Sequence, residues 1–171
     1  MVDFATKEDC PYILDACSTP ATAEDISRWL QLIPRLEHSE YMVCVIDSLH
    51  SWVTPLAFRL GLTEYDAINA GLLAIRSMST TYGVVFIVLS ERNRLSAKTG
   101  GMNAGRGSGR IEYGADVLME LSKEDKGEHS GVDRIELKIT KNRLGPAGAV
   151  VPLSFQGDTM SFNEITLQYA S

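Results

Sequence analysis

Two apolar runs, each closed by an acid, constrain this chain more than any other feature of its 171 residues. Residues 41–49 read YMVCVIDSL and residues 84–91 read VVFIVLSE. A strand with one wet face alternates apolar and polar side chains. An unbroken run instead marks a strand covered on both faces, as in a parallel sheet between helical layers. Between the runs, Ile68, Leu72, Leu73, Ile75 and Met78 recur at helical spacing, and Thr63 with Asp66 forms a capping box at the start. Strand, helix, strand is the unit of an open α/β sheet, whose ligands bind beyond the carboxyl ends of the strands. Asp47 and Glu91 fall at those ends, so neighbouring strands would place both acids on one rim.

The flanking segments extend this unit. Thr22 can cap a helix with Glu24 and Asp25 in its first turn, where acids favour the helix dipole, and Ile26, Trp29, Leu30 and Ile33 on its apolar side. Pro34 marks a kink or an end. Residues 50–62, with Pro55 and Gly61, read as a loop. ADVLMELS, 115–122, reads as a third strand of the same sheet. RIELKITKN, 134–142, alternates with period two, turns at 145–148 and returns as AVVPLSF, 149–155, an antiparallel hairpin. The expectation is an α/β fold, mostly parallel, with a C-terminal antiparallel β-hairpin, in a single domain.

Composition narrows the class. With 44% apolar and 22% charged residues the chain is globular rather than disordered. It has no apolar run long enough to cross a bilayer and no basic-then-apolar N-terminal signal, which implies a cytoplasmic protein without a membrane partner. Cys10, Cys17 and Cys44 are odd in number and lack C-x-x-C spacing, and His38, His50 and His129 are scattered, so neither a disulfide nor a zinc framework is expected. The net charge of −6 argues against a surface coated with nucleic-acid contacts, yet charge is unevenly distributed. Residues 92–110, RNRLSAKTGGMNAGRGSGR, hold five basic residues, five glycines and no acid. Glycines let backbone N–H groups approach phosphates and arginines neutralise them, a combination suited to gripping a nucleic-acid backbone without reading bases. The plain alternative is a disordered surface loop.

Two further features carry chemistry. Asp47, after four apolar residues, can hold a magnesium ion through water opposite a phosphate chain, although strand-end aspartates often only cap the next turn. Lys141 and Arg143 lie two apart just before the turn announced by Gly145 and Pro146, so their side chains share a face. The bland reading is a solvated strand end; the sharp one is a pair reaching for phosphate. No G-x-x-x-x-G-K-[ST] pattern occurs in the 171 residues, so this chain cannot form a phosphate-cradling P-loop by itself.

In their order, these motifs resemble the C-terminal RecA-like ATPase domain of DnaB-type replicative helicases, over about residues 11–163. YMVCVIDSL is similar to the family's Walker B strand, with Asp47 on its magnesium-binding aspartate. VLSERNR is similar to the sensor strand, with Glu91 where the family has a γ-phosphate-sensing glutamine. GRGSGRIEYGADVLMEL resembles the DNA-gripping loop and the strand after it. Arg106, Gly107 and Gly109 fall on positions that hold single-stranded DNA, and Gly107 stands where relatives usually have glutamate. KITKNRLGPAG is the most specific match: Lys141 and Arg143 fall on two cations that reach across a subunit boundary to the neighbour's γ-phosphate. Leu144 departs from the usual asparagine.

The resemblance implies an incomplete RecA-like core, ATP and Mg²⁺ as cofactors, a homo-hexamer or a complementary chain bearing Walker A, and single-stranded DNA as partner. Arg94, Lys98 and Arg110 join Arg106, Gly107 and Gly109 as expected DNA contacts, and Asp47, Glu91, Lys141 and Arg143 as expected catalytic groups. The family hydrolyses ATP, whereas the isolated chain, a partial domain, is expected to be inactive. A second expectation is a non-catalytic ring partner or DNA-binding regulator that donates only its finger and DNA loop. A recombinase or clock-type RecA relative is a third, disfavoured by the KNRLGPAG hairpin.

Overall fold

The structure, a computed structural model, describes residues 12–14, 16, 19–37, 41–91, 105–123 and 132–165, with the backbone alone at 34–37, 105–109 and 132. Cys10, Cys17, His38, Arg92, Arg94, Lys98 and His129 lie outside the described residues. The chain forms two compact units, Met1–Arg110 and Ile111–Ser171.

The first unit is built on α1 (Ala23–Glu37), β1 (Val43–Ile46), α2 (Leu49–Leu60), α3 (Glu64–Tyr82) and β2 (Val85–Val88). Both sequence-legible caps form. At α1, the Asp25 amide donates to Thr22 Oγ1 at 3.2 Å, and the Thr22 amide and hydroxyl both donate to Asp25 Oδ2, at 3.0 and 2.8 Å. At α3, the Asp66 amide donates to Thr63 Oγ1 at 3.1 Å. The helix α1 runs three residues beyond Pro34, so the proline does not end it. Strands β1 and β2 are parallel neighbours, with Val43 opposite Val85 and Ile46 opposite Val88.

Residues 50–62 are not a loop. Most of them form α2, with Pro55 inside it. Ser48 caps its start by accepting from the Ser51 amide at 3.3 Å, and Gly61 at φ 64° supplies the left-handed turn that ends it. Leu49, Trp52, Val53 and Ala57 then fall on one helical face and are buried, and this burial outweighs the hydrogen bond that Pro55 forgoes. The Trp52 indole N–H is satisfied by Ala21 O at 2.8 Å. Helices α2 and α3 approach closely at Gly71, where a Cβ would lie 2.7 Å from Val53 Cγ1 and 3.3 Å from Trp52.

The second unit is a four-stranded antiparallel sheet in the order β3 (Val117–Lys123), β4 (Val132–Asn142), β5 (Val150–Gln156), β6 (Ser161–Glu164). The expectation of a mostly parallel α/β sheet thereby holds only in part. Among the described residues the parallel part is the β1–β2 pair, and the third expected strand joins the antiparallel sheet. Only residues 124–131 separate β3 from β4, too few for the crossover that a parallel pair needs, so these neighbours run antiparallel, and β3 pairs along its length with β4 instead of with β1 or β2. The expected hairpin is present as β4 and β5, with Lys138 opposite Val150.

A further departure lies in the glycine-rich stretch, whose last residues open a helix, α4 (Gly105–Gly114). Glycine disfavours helix by about 1 kcal/mol per residue relative to alanine. Here the C-terminal carbonyls of α4 are met by cations, as described below. Among the described residues, no helix is long and apolar enough to cross a membrane.

Candidate functional site

The pair Lys141 and Arg143 takes its geometry from a β-bulge. Opposite β3, Leu118 faces Lys141 but Met119 faces Ile139, so Thr140 is an extra residue on β4. Its hydroxyl donates to Leu118 O at 3.3 Å. In a regular strand Lys141 would share the face of Leu137 and Ile139. The bulge reverses that parity and turns Lys141 away from the apolar face.

Both cations then meet the end of α4. Lys141 Nζ donates to Glu112 O at 2.6 Å and approaches Tyr113 O at 3.4 Å. Arg143 Nη2 approaches the same Tyr113 O at 3.5 Å, and Nη1 pairs with Asp116 Oδ1 at 2.8 Å. The Arg143 amide also donates to Asp116 O at 2.9 Å. A helix C-terminus carries orphan carbonyls and partial negative charge, so two cations stabilise it. The shared acceptor keeps two like charges side by side. Sequence reasoning named both cations but missed Asp116 and the Glu112 and Tyr113 carbonyls, because a glycine-rich stretch does not announce a helix end.

The second cluster lies in the first unit, at the carboxyl ends of β1 and β2. The Leu89 amide donates to Ile46 O at 2.9 Å and the Leu49 amide to Leu89 O at 2.8 Å, which ties the two strand ends together around Asp47. Asp47 is exposed there, one residue before the capping Ser48, and Glu91 is exposed beyond the end of β2. Asp47 thus follows β1 directly and Glu91 lies three residues past β2, so both acids come after the carboxyl ends of adjacent parallel strands. Ser48 is buried, and its hydroxyl lies 3.1 Å from that of Ser51.

Among the described residues, no group of three or more histidine, cysteine or acidic side chains gathers as a metal cage. A single exposed carboxylate fits a different kind of site. Magnesium keeps most of its waters and is commonly held by one or two carboxylates plus substrate phosphates, so Asp47 suits that role. Cys44, on β1, is half-buried, and burial pushes its thiol up, which keeps it protonated at neutral pH and unsuited to nucleophilic work.

Of the expected DNA contacts, Arg106, Gly107 and Gly109 lie in α4, where the backbone alone is described. Arg110 is exposed, with its guanidinium 5.9 Å from the centroid of the Tyr65 ring, at the outer reach of a cation–π contact. Asp47, Glu91 and Arg110 belong to the first unit, Lys141 and Arg143 to the second.

No curated protein matches the chain. Residues 26–164 match the family model described as the DnaB-like helicase C-terminal domain, which takes in Asp47, Glu91, α4 and both cations at the bulge. A match over that much of the sequence is decisive: the chain belongs to the DnaB-like helicase C-terminal domain family.

Proposed function

We propose that this chain works within a ring of RecA-like subunits that drives single-stranded DNA with ATP, supplying the Walker B acid, the DNA-gripping segment and a two-cation finger for the neighbouring subunit's nucleotide. The observation that carries this reading is the convergence of Lys141 and Arg143 on one carbonyl, Tyr113 O, beyond a bulge that turns Lys141 off the apolar face. Two cations side by side suit a polyphosphate. A lysine offers three donors and an arginine five, so both retain donors after their contacts within the chain.

Each residue then has a part. Asp47 would hold Mg²⁺ through water at the rim, and that ion supplies charge neutralisation on the phosphates when bound. Glu91 would accept from the attacking water and orient it, but a carboxylate cannot donate to the γ-phosphate as the family's glutamine does. Lys141 and Arg143 would stabilise the charge that develops on the neighbour's transferred phosphoryl group, an effect worth about 10³-fold or more in rate. Arg94, Lys98, Arg106, Gly107, Gly109 and Arg110 would line the path of the DNA backbone.

A ring assembled with a subunit that carries a P-loop tests the finger. Arg143→Ala should lower hydrolysis about 10³-fold while ATP binding holds, because the finger acts on the transition state. Loss of binding with little change in turnover would refute the trans role.

A second reading turns on where the P-loop comes from, since these 171 residues contain no G-x-x-x-x-G-K-[ST] pattern. On that reading the chain is a non-catalytic ring member that lends its finger and DNA segment. Equilibrium binding of ATP to the purified chain separates the two, since micromolar affinity without a second polypeptide would exclude it.

A further inference from the structure

Reaching a phosphate in a neighbour requires Arg143 to leave an anion of its own chain. Its Nη1 pairs with Asp116 Oδ1 at 2.8 Å, its Nη2 approaches Tyr113 O at 3.5 Å, and its amide donates to Asp116 O at 2.9 Å. One aspartate thus holds the residue by side chain and by main chain. Lys141 differs, because its acceptors are the neutral carbonyls of Glu112 and Tyr113. A carboxylate and a phosphate offer the guanidinium the same thing, anionic oxygens placed for its planar fork.

We propose that Asp116 is a positioning residue that occupies Arg143 as a phosphate would, keeps it beside Lys141, and yields it to an incoming polyphosphate. This rests on the finger reading above and adds the residue that governs it. The exchange needs no unfolding. The Arg143 and Asp116 side chains are 46% and 69% exposed, so water and phosphate both reach the pair. An exposed ion pair is weak and screened by salt, which makes the hold a modest one that a multivalent anion overcomes. When the guanidinium swings away, the main-chain bond between Arg143 and Asp116 can stay, so the end of β4 keeps its place.

The test uses the full chain, ¹⁵N-labelled, titrated with inorganic tripolyphosphate at low ionic strength. Affinity and the Arg143 Nε–H signal are followed together. Asp116→Asn should bind tripolyphosphate about two- to five-fold more tightly, the worth of an exposed pair. Arg143→Ala should bind it several-fold more weakly. In an Arg143→Ala background, Asp116→Asn should lose most of its effect, which separates direct contact from mere removal of a negative charge. Added to the wild-type chain, tripolyphosphate should shift the Arg143 Nε–H signal; in Asp116→Asn the signal should start displaced towards the bound position. Unchanged or weaker binding by Asp116→Asn, or a gain that persists in full without Arg143, would overturn the proposal while sparing the finger. If Lys141→Ala and Arg143→Ala both bind as the wild type does, the finger reading fails and this inference fails with it.

Discussion

The two units are stabilised in different ways. Every apolar side chain that is fully buried among the described residues lies between Ala21 and Val84, in the first unit. There α3 packs against α1, α2 and β2, and Leu49, Val53, Ile68 and Met78 are buried. The second unit has a sheet with a clear apolar face, on which Met119, Leu121, Ile135, Leu137, Val151 and Leu153 align by register. Its other face carries Glu120, Ser122, Glu136, Lys138 and Ser154. That is the alternation of an antiparallel sheet with one side meant for a core. Yet Met119 is 57% exposed and Leu121 62%. Hydrogen-bonded ladders and cross-strand pairs, such as Phe155 on Phe162 at 4.6 Å between centroids, hold this unit where burial does not. The lesson is that patterning specifies a face, but only packing gives that face its stabilising energy.

The largest expected effect tests the packed unit. Leu49 is fully buried at the start of α2, so Leu49→Ala should cost about 2–5 kcal/mol through lost transfer energy and the cavity left behind. Both tryptophans, Trp29 and Trp52, belong to the first unit, so their fluorescence in a urea titration reports its unfolding. A midpoint unmoved by Leu49→Ala would show that the first unit draws its stability from somewhere other than this core.

The matching substitution in the second unit should be nearly silent. Leu121→Ser removes a similar apolar side chain from a site that is 62% exposed, and exposed substitutions fall within about 0.5 kcal/mol. Circular dichroism of the sheet on denaturation provides the comparison. A cost above about 2 kcal/mol would mean that the apolar face of the sheet is covered in solution, and the contrast between the units would collapse.

The same contrast explains what the residue order disclosed. The cap at Thr22, the capping box at Thr63 and the alternation of β4 are local patterns that formed as read, and the apolar runs did become the parallel strands β1 and β2. Those strands are not covered on both faces, however: Val43, Val45, Val85 and Ile87 are exposed on one side, because coverage depends on what packs there and not on the run itself. Helix α2 was hidden because Pro55 speaks locally against a helix, whereas the burial of Leu49, Trp52 and Val53 is a tertiary gain. Strand β3 joins the antiparallel sheet because β4 follows it after only residues 124–131 and pairs with it along its length, a partnership that the apolar run of β3 does not disclose. At the site, the common direction of Lys141 and Arg143 was legible from their spacing. The bulge at Thr140 and the acceptors at the end of α4 were not, since both depend on pairing between segments distant in sequence.

The smallest expected effect concerns the cap that opens the first unit. The Thr22 backbone amide, with its hydroxyl second, holds the Asp25 carboxyl below its ordinary value of 3.8; Arg28, 3.5 Å away, adds a minor share in the same direction. A carboxyl lowered on folding adds stability that is present above the unfolded value and is lost as pH falls through the folded one. The cap should therefore be intact at neutral pH and weaken only below about pH 4, the unfolded carboxylate range. Carboxyl-detected NMR titration should find Asp25 among the last aspartates to protonate. Thr22→Ala deletes the hydroxyl but keeps the larger contribution, the backbone amide, so the Asp25 midpoint should rise only part of the way. A full return to the ordinary value would mean that the hydroxyl, not the amide, organises this cap. No movement at all would mean that the amide alone does so, and that Thr22 is replaceable at the start of α1.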